Sequence, residues 1–350
     1  MADSTGDKAS EIDPALHKKM LQLLSSLWVT RAIGAFARLG LADAMAEGTQ
    51  EAATIATARG LLPDRVDRLL RALSTVGIVS ESTRGRFALT PLGHLLTSRG
   101  RNNMRATAIL LNDYLADMWN RLDDALADER TAFEVTKGQP FFAWLGEHPD
   151  EAKRFNRMML EVHGPETPAI VAAYDFAPFK HIVDVAGGNG SLLAAVLAAY
   201  PNRHGTLFDL AEAIAAARSG EGGPLPGVAF VVGDVLTSAA PAGGDLYLMR
   251  HLLHDYADAD CVRILANVRR AMKAEARVLV MEAPLPADDS SGPGRWLDLQ
   301  VMLLCGGRER TVDEYAALLA RAGLRWAQTI PTRHPAMTVI EAVAAADHDV

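Results

Sequence analysis

The chain has 350 residues, 49% of them hydrophobic and 22% charged, a balance that suits folded domains with a sizeable core and excludes a disordered or fibrous chain. Its formal net charge of −8 argues against non-specific attraction to nucleic acid or to an anionic membrane. Two cysteines, Cys261 and Cys305, are too few for a disulfide framework or a cysteine-rich zinc site, and they fit a reducing, cytoplasmic setting.

In chain order, residues 1–14 are polar and lack the apolar stretch of a signal peptide. No apolar run of the roughly 18–20 residues needed to span a bilayer is expected. From Leu16 to Ala46 apolar residues recur at helical spacing, with Met20, Leu23, Leu24, Leu27, Ile33 and Phe36 on one side and Gly40 closing the pattern. Pro63 opens a second helix through Val76, which carries Val66, Leu69, Leu70 and Leu73 on one face and Arg65, Arg68 and Arg71 on another. Ile78–Ser82, a turn at Thr83–Gly85 and Arg86–Leu89 then read as a hairpin. This is the order of a winged helix. A DNA-binding regulator with the three arginines in a groove is one reading. The acidic balance favours the other, a winged-helix scaffold whose long apolar helix, Leu16–Leu39, packs on a second copy of the chain.

Residues 103–174 read as wholly helical and concentrate aromatics and methionines, from Tyr114 and Trp119 to Met158 and Met159. Core packing accounts for such residues, and so does a flat apolar ligand pocket.

From His181 the rhythm becomes strand, turn, helix. Strands are predicted at His181–Ala186, Gly205–Asp209, Val228–Gly233, Leu246–Arg250 and Arg277–Glu282, with helices such as Leu192–Ala199 and Asp258–Met272 between them. That alternation implies a parallel sheet covered on both faces. Two last strands, Leu324–Ile330 and Thr338–Val343, are joined too tightly for a crossover and read as an antiparallel pair.

Val183-Asp184-Val185-Ala186-Gly187-Gly188-Asn189-Gly190-Ser191 leaves the first strand and opens a helix. It fits neither the dinucleotide fingerprint nor a P-loop. Asp209, 19 residues after Gly190 at the second strand end, can accept both ribose hydroxyls of a nucleoside. Asp234, after Gly233 at the third strand end, can accept from the exocyclic amine of adenine. Nucleoside contacts without a phosphate clamp suit S-adenosylmethionine (SAM). Asp184 would lie near its ammonium or sulfonium end, or would cap the glycine-rich turn.

Methyl transfer to a hydroxyl needs reactants held in line and a proton removed. His254, in Met249-Arg250-His251-Leu252-Leu253-His254-Asp255-Tyr256 after the fourth strand, is a suitable base, helped by a carboxylate on its other ring nitrogen. Glu282 ends the fifth strand and Glu309 precedes a helix. Each is also explicable singly, Glu282 as a surface residue and Glu309 as a charge near a helix N-terminus. His251 and His254 could ligate a metal, but no third ligand is evident and none is expected.

Nearly the whole chain resembles the SAM-dependent O-methyltransferases that act on plant phenolics and on bacterial polyketides, phenazines and related metabolites. The segments that carry it include Leu39-Gly40-Leu41-Ala42-Asp43, Arg68-Leu69-Leu70-Arg71-Ala72-Leu73, Gly85 to Gly93, Asp184 to Gly190, Phe208-Asp209-Leu210, Gly233-Asp234, Leu253-His254-Asp255-Tyr256, Glu282 with Pro284, and Arg308-Glu309-Arg310-Thr311. The resemblance implies a mostly α winged-helix dimerisation domain at 14–102, a helical segment at 103–175 roofing the acceptor pocket, and a Rossmann-like methyltransferase domain at 176–345 with a seven-stranded, mainly parallel sheet. It implies SAM contacts from Asp184, Gly187, Gly188, Gly190, Asp209, Leu210, Gly233, Asp234, Val235 and Arg250. It makes His254 the general base, flanked by Glu282 and Glu309. The acceptor, a planar hydroxylated aromatic, would meet Phe142, Trp144, Asn156, Met159, His163, Asp255 and Met302, with residues near Leu24 or Trp28 reaching the partner's pocket in a homodimer. Ala186 and Tyr256 depart from the family's usual glycine and tryptophan. Some members bind SAM yet hydroxylate or decarboxylate a polyketide, so the fold alone does not fix the reaction.

Overall fold

The computed structural model describes residues 13–100, 103–220, 223–286, 288, 292 and 294–346, and the chain divides into two compact units between Asp113 and Tyr114. In the first unit, α1 (Pro14–Leu24) and α2 (Ser26–Arg38) replace the single run that the hydrophobic spacing predicts. The break is local chemistry: the hydroxyls of Ser25 and Ser26 donate to the carbonyls of Leu21 and Leu23 at 2.7 Å each, and such side chains compete with the backbone for helical bonds. Gly40, at φ +64°, then turns the chain into α3 (Leu41–Ala44).

After β1 (Gln50–Glu51) and α4 (Ala52–Ala58) comes α5 (Pro63–Ser74), opened by its proline and closed near Arg71. Its face of Val66, Leu70 and Leu73 meets Phe36, Leu41, Ile55 and Phe87 in one core. β2 (Val79–Thr83) and β3 (Arg86–Leu89) form the wing, and the sheet order is β1-β3-β2. Arg71 is bonded to Asp67 and lies near Glu81 on this unit, so one of the three candidate groove arginines is already neutralised.

No residue of α1 is buried. Leu24 and Trp28 are 69% and 75% exposed. Together α1 and α2 span 25 residues and are long and apolar enough, by length and composition, to cross a membrane, which corrects the expectation that no such run exists.

The second unit begins with helices, as its composition predicts. Tyr114, Phe133, Phe141, Trp144 and Phe155 join in one aromatic cluster with ring centroids 5.0–6.4 Å apart. The sheet follows: β4 (His181–Val185), β5 (His204–Asp209), β6 (Ala229–Val232), β7 (Leu246–Arg250), β8 (Arg277–Glu282), β9 (Leu324–Pro331) and β10 (Thr338–Ala344). Its order is β6-β5-β4-β7-β8-β10-β9. β4 to β8 run parallel, and β10 lies antiparallel between β8 and β9.

Both faces are apolar with period two. Val183, Tyr247, Met249, Val278 and Val280 serve one core, while Ile182, Leu246, Leu248, Leu279 and Met281 serve the other. The order reverses between β4 and β7, the place where open α/β sheets leave a crevice beyond the strand ends.

The exposed stripe of α1 and α2 needs a cover in water. Replacing Trp28 with Glu should shift the mass in light scattering from two chains toward 37.6 kDa; an unchanged mass would mean that another surface holds the copies together.

Candidate active site

A cavity of about 510 Å³ opens at the carboxyl ends of β4, β5, β6 and β7, a size that holds a small organic ligand. One end is polar. Asp184 is buried and its Oδ2 has no hydrogen-bond partner among the described residues. Burial pushes its carboxyl up to about 7, against the pull of Arg250. Gly187 leaves a space there that no side chain could share, since a Cβ would lie 2.4 Å from the Asp184 carboxyl carbon. Asp209, raised by burial to about 6, accepts from the backbone of Gly188 and Leu210 at 2.7 Å each. Asp234 accepts from Leu236 at 2.8 Å. Arg250 donates to Thr167 at 2.9 Å and to Ser191 at 3.3 Å.

Asp184, Gly187, Gly188, Asp209, Leu210, Gly233, Asp234, Val235 and Arg250 all line the cavity. Gly190 does not. At φ +75°, with the Leu225 side chain close behind it, it makes the turn into the helix Ser191–Ala199. Ala186 also takes a left-handed φ of +53°, a conformation that disfavours a Cβ. An orphaned carboxylate oxygen beside a glycine cradle, with two more carboxylates at neighbouring strand ends, fits the amino acid and nucleoside parts of SAM.

The rest of the wall is largely apolar, with Leu115, Phe142, Phe155, Met158, Met159, Leu297, Val301 and Leu304. Phe142, Asn156, Met159, His163 and Asp255 line the cavity. Trp144 and Met302 do not line the cavity, which corrects both expectations. Residues two apart on a helix face different ways. On Phe141–Glu147, Phe142 turns to the cavity while Trp144 packs on Tyr114 and Phe133 and stacks on His148. On Gly294–Cys305, Val301 and Leu304 share the cavity face and Met302 falls off it.

His254 lines the cavity as well. Its Nδ1 bonds Glu309 Oε1 at 2.6 Å, which leaves Nε2 for the cavity. Glu282 flanks the imidazole at a greater distance and also holds the backbone. Its Oε1 accepts from the backbone of Leu252 and Leu253 at 3.1 and 2.9 Å, and its Oε2 lies 3.6 Å from His254 Nδ1. Both glutamates are sealed from solvent. Burial alone would lower the imidazole, but Glu282, Asp255 and Glu309 override it and push His254 up to about 10. Burial raises Glu282 as well.

Three neighbours of the site have contacts that the sequence did not reveal. Glu166, at the start of the helix Glu166–Ala173, bonds His163 Nδ1 at 3.1 Å and His251 Nε2 at 3.0 Å. Those bonds outweigh its burial and hold it well below the usual carboxylate range. His251 has a left-handed φ of +49° and is lowered by burial to about 3. Arg310 is 1% exposed and donates to the carbonyls of Leu253 and Tyr256 at 3.0 and 2.8 Å. The structure also supplies the metal-type partners that the sequence lacked: His163, Glu166 and His251 offer ligand atoms within 4.8 Å of one another, as do His251, His254 and Glu282. Hydrogen bonds already satisfy the first group.

Gly307 packs against this loop so closely that a Cβ would lie 1.9 Å from the His254 carbonyl oxygen. Gly307→Ala should lower stability by about 1–3 kcal/mol in urea unfolding and cut turnover further by moving His254. Wild-type values for both would show that the loop yields freely.

Residues 119–325 match the O-methyltransferase domain family and residues 21–99 match the O-methyltransferase dimerisation domain. The chain is 34% identical over 329 residues to the phenazine O-methyltransferase PhzM of Lysobacter antibioticus, covering 93% of this chain and 96% of that one. The crystal structure of LaPhzM superposes with a TM-score of 0.89 at 34% identity, over 94% of this chain and 99% of the other. The O-methyltransferase NcsB1 from neocarzinostatin biosynthesis, solved with SAM and 2-hydroxy-5-methyl naphthoic acid, gives a TM-score of 0.79 at 31% identity, covering 96% of this chain and 100% of that one.

Proposed function

This chain belongs to the SAM-dependent O-methyltransferase family, and from that membership we propose that it methylates a hydroxyl of a planar aromatic secondary metabolite, with His254 as general base. The observation that carries the reading is the His254–Glu309 bond of 2.6 Å in a cavity lined both by strand-end carboxylates and by apolar side chains. Asp184, Gly187, Asp209, Asp234 and Arg250 would hold SAM, which supplies a methyl group already activated by the sulfonium charge.

The protein's own work is alignment and proton removal. The apolar wall holds the acceptor ring flat and excludes water. Glu309 fixes the imidazole so that Nε2 faces the acceptor hydroxyl. Glu282 holds the loop through two backbone amides. A phenol has a pKa near 10, and the carboxylates that raise the His254 imidazole to about 10 make it a strong base once it is unprotonated, so its work as a general base is done on the alkaline side of neutrality. Glu309 and Glu282 then stabilise the imidazolium.

The dimerisation domain and the bare stripe of α1 and α2 support a homodimer, and the two free cysteines, Cys261 and Cys305, suit the cytoplasm as its setting. In the proposed division, 14–102 dimerises, 103–175 roofs the acceptor and 176–345 binds SAM.

The test is incubation with labelled SAM and a panel of phenazines, anthracyclines and flavonoids, read by mass spectrometry. A product heavier by one methylene group is expected; a gain of oxygen or a loss of carbon dioxide would overturn the reading. His254→Ala should lower kcat by about 10²–10⁴-fold. The pH dependence has a definite sign. The base works unprotonated, so a raised pKa means that kcat/KM climbs from neutral pH toward about 10. An acceptor already ionised at neutral pH should flatten that climb, and a rate independent of pH with a weakly acidic phenol would remove His254 from the role.

A further inference from the structure

One wall of the cavity is the helix Gly294–Cys305. Leu297, Val301 and Leu304 line the cavity from it, and among the described residues of this helix Gln300 is the one polar side chain that joins them. An amide on an apolar face must be satisfied by a hydrogen bond or it costs stability. Polar groups placed singly in an apolar wall are also the means by which a pocket orients a ligand.

The direction of this amide is fixed without reference to any titration. The indole N–H of Trp119 donates to Gln300 Oε1 at 2.7 Å. An indole can only donate, so the amide oxygen is the atom that meets it and cannot change places with the nitrogen. Nε2 keeps both of its N–H donors, and neither has a partner among the described residues. An amide that served packing alone would engage both of its ends. Here the carbonyl end is spent on Trp119, and the donor end remains for the cavity.

The helix that carries Gln300 is also tied to His254 at two points. Asp298 Oδ1 accepts from the backbone amide of Glu309, the partner of His254, at 2.8 Å. Cys305 Sγ donates at 3.3 Å to Oδ1 of Asp255, the residue after His254. Gln300 lies between these tethers on the helix, so the framework that holds the imidazole holds the amide as well. Two polar points in fixed relation, one on each side of a flat ring, decide which way the ring lies.

Resting on the reading of this cavity as a methyl-acceptor site, we propose that the acceptor carries, besides its hydroxyl, a lone-pair group in or on the ring (a carbonyl, a carboxylate or a ring nitrogen) that receives a hydrogen bond from Gln300 Nε2. Gln300 is thereby a specificity-determining residue, and Trp119 is its positioning residue. A ring that offers only carbon at that place buries the amide donors unpaired, and the cost of an unpaired buried donor exceeds the mean gain from one hydrogen bond. A site built to bond one substrate group discriminates against the analogue that lacks it for this reason.

The experiment is calorimetric titration of enzyme saturated with S-adenosylhomocysteine, so that affinity is read without reaction. The probes share one bicyclic frame: a naphthol, the hydroxyquinolines that place a nitrogen at successive ring positions, and a hydroxytetralone. The best lone-pair probe should bind about tenfold tighter than the naphthol. Gln300→Leu should erase that difference and still bind the naphthol. Trp119→Phe, which frees the amide to turn, should shrink the preference, whereas a merely structural role would weaken every probe alike. Equal affinities in the unaltered enzyme, a preference that survives Gln300→Leu, or a uniform loss in Trp119→Phe overturns the proposal. A preference of this kind in an enzyme that transfers no methyl group supports the subsite and overturns the transfer reading; methyl transfer to naphthol and hydroxyquinolines at equal KM overturns the subsite and leaves the transfer reading standing.

Discussion

The bond between His254 and Glu309 organises everything around it. Both groups are sealed from solvent, so neither can exchange its partner for water. Removing one member of such a pair costs about 3–5 kcal/mol, because the other is left charged and alone. The site goes further and surrounds one imidazole with Glu309, Glu282 and Asp255. That excess of negative charge raises the basicity of His254, and it would also favour a sulfonium cation at the neighbouring strand ends. In the proposed reading the same field serves two partners of a methyl transfer: it would strengthen the base and attract the positively charged donor.

Such a field works only if the loop carrying His254 is immobile. Four contacts fix it. Glu282 takes the amides of Leu252 and Leu253, Arg310 takes the carbonyls of Leu253 and Tyr256, the Arg308 amide donates to the His254 carbonyl at 2.8 Å, and Gly307 fills the space behind it. Arg310 is itself paired with Asp258 at 2.7 Å. Backbone groups that would be orphaned in a buried turn are thereby satisfied, the condition for a rigid non-helical segment in a core. The positive φ of His251 is strain that this framework can bear.

The sheet was legible because period-two and near-continuous apolar runs leave few alternatives. The predicted bounds of Leu246–Arg250 and Arg277–Glu282 are those observed. The carboxylates at strand ends were legible because topology sends strand ends to one crevice. What stayed hidden was long-range pairing. Glu166 and His251 are separated by 85 residues, and no local pattern announces that a glutamate opening a helix meets a histidine after β7. Glu282 was read as an orienter of the imidazole, whereas one of its oxygens is spent on the backbone. Trp144 and Met302 failed for a simpler reason: composition identifies a pocket-forming segment, but only helical phase decides which side chains face inward. The serines at 25 and 26 likewise ended a helix that hydrophobicity alone would have continued.

The position of β10 has a bearing on how the molecule is made. Glu282 ends β8, and β8 pairs on its outer side only with β10, residues 338–344. Until that last stretch has left the ribosome, the strand that supports the base is an open edge, and nascent chains expose such edges to mispairing. The first unit, built wholly from residues before Tyr114, faces no such delay. Removing β10 would therefore leave the edge of β8 bare and take the neighbouring strand from Glu282, although no residue of β10 lines the cavity.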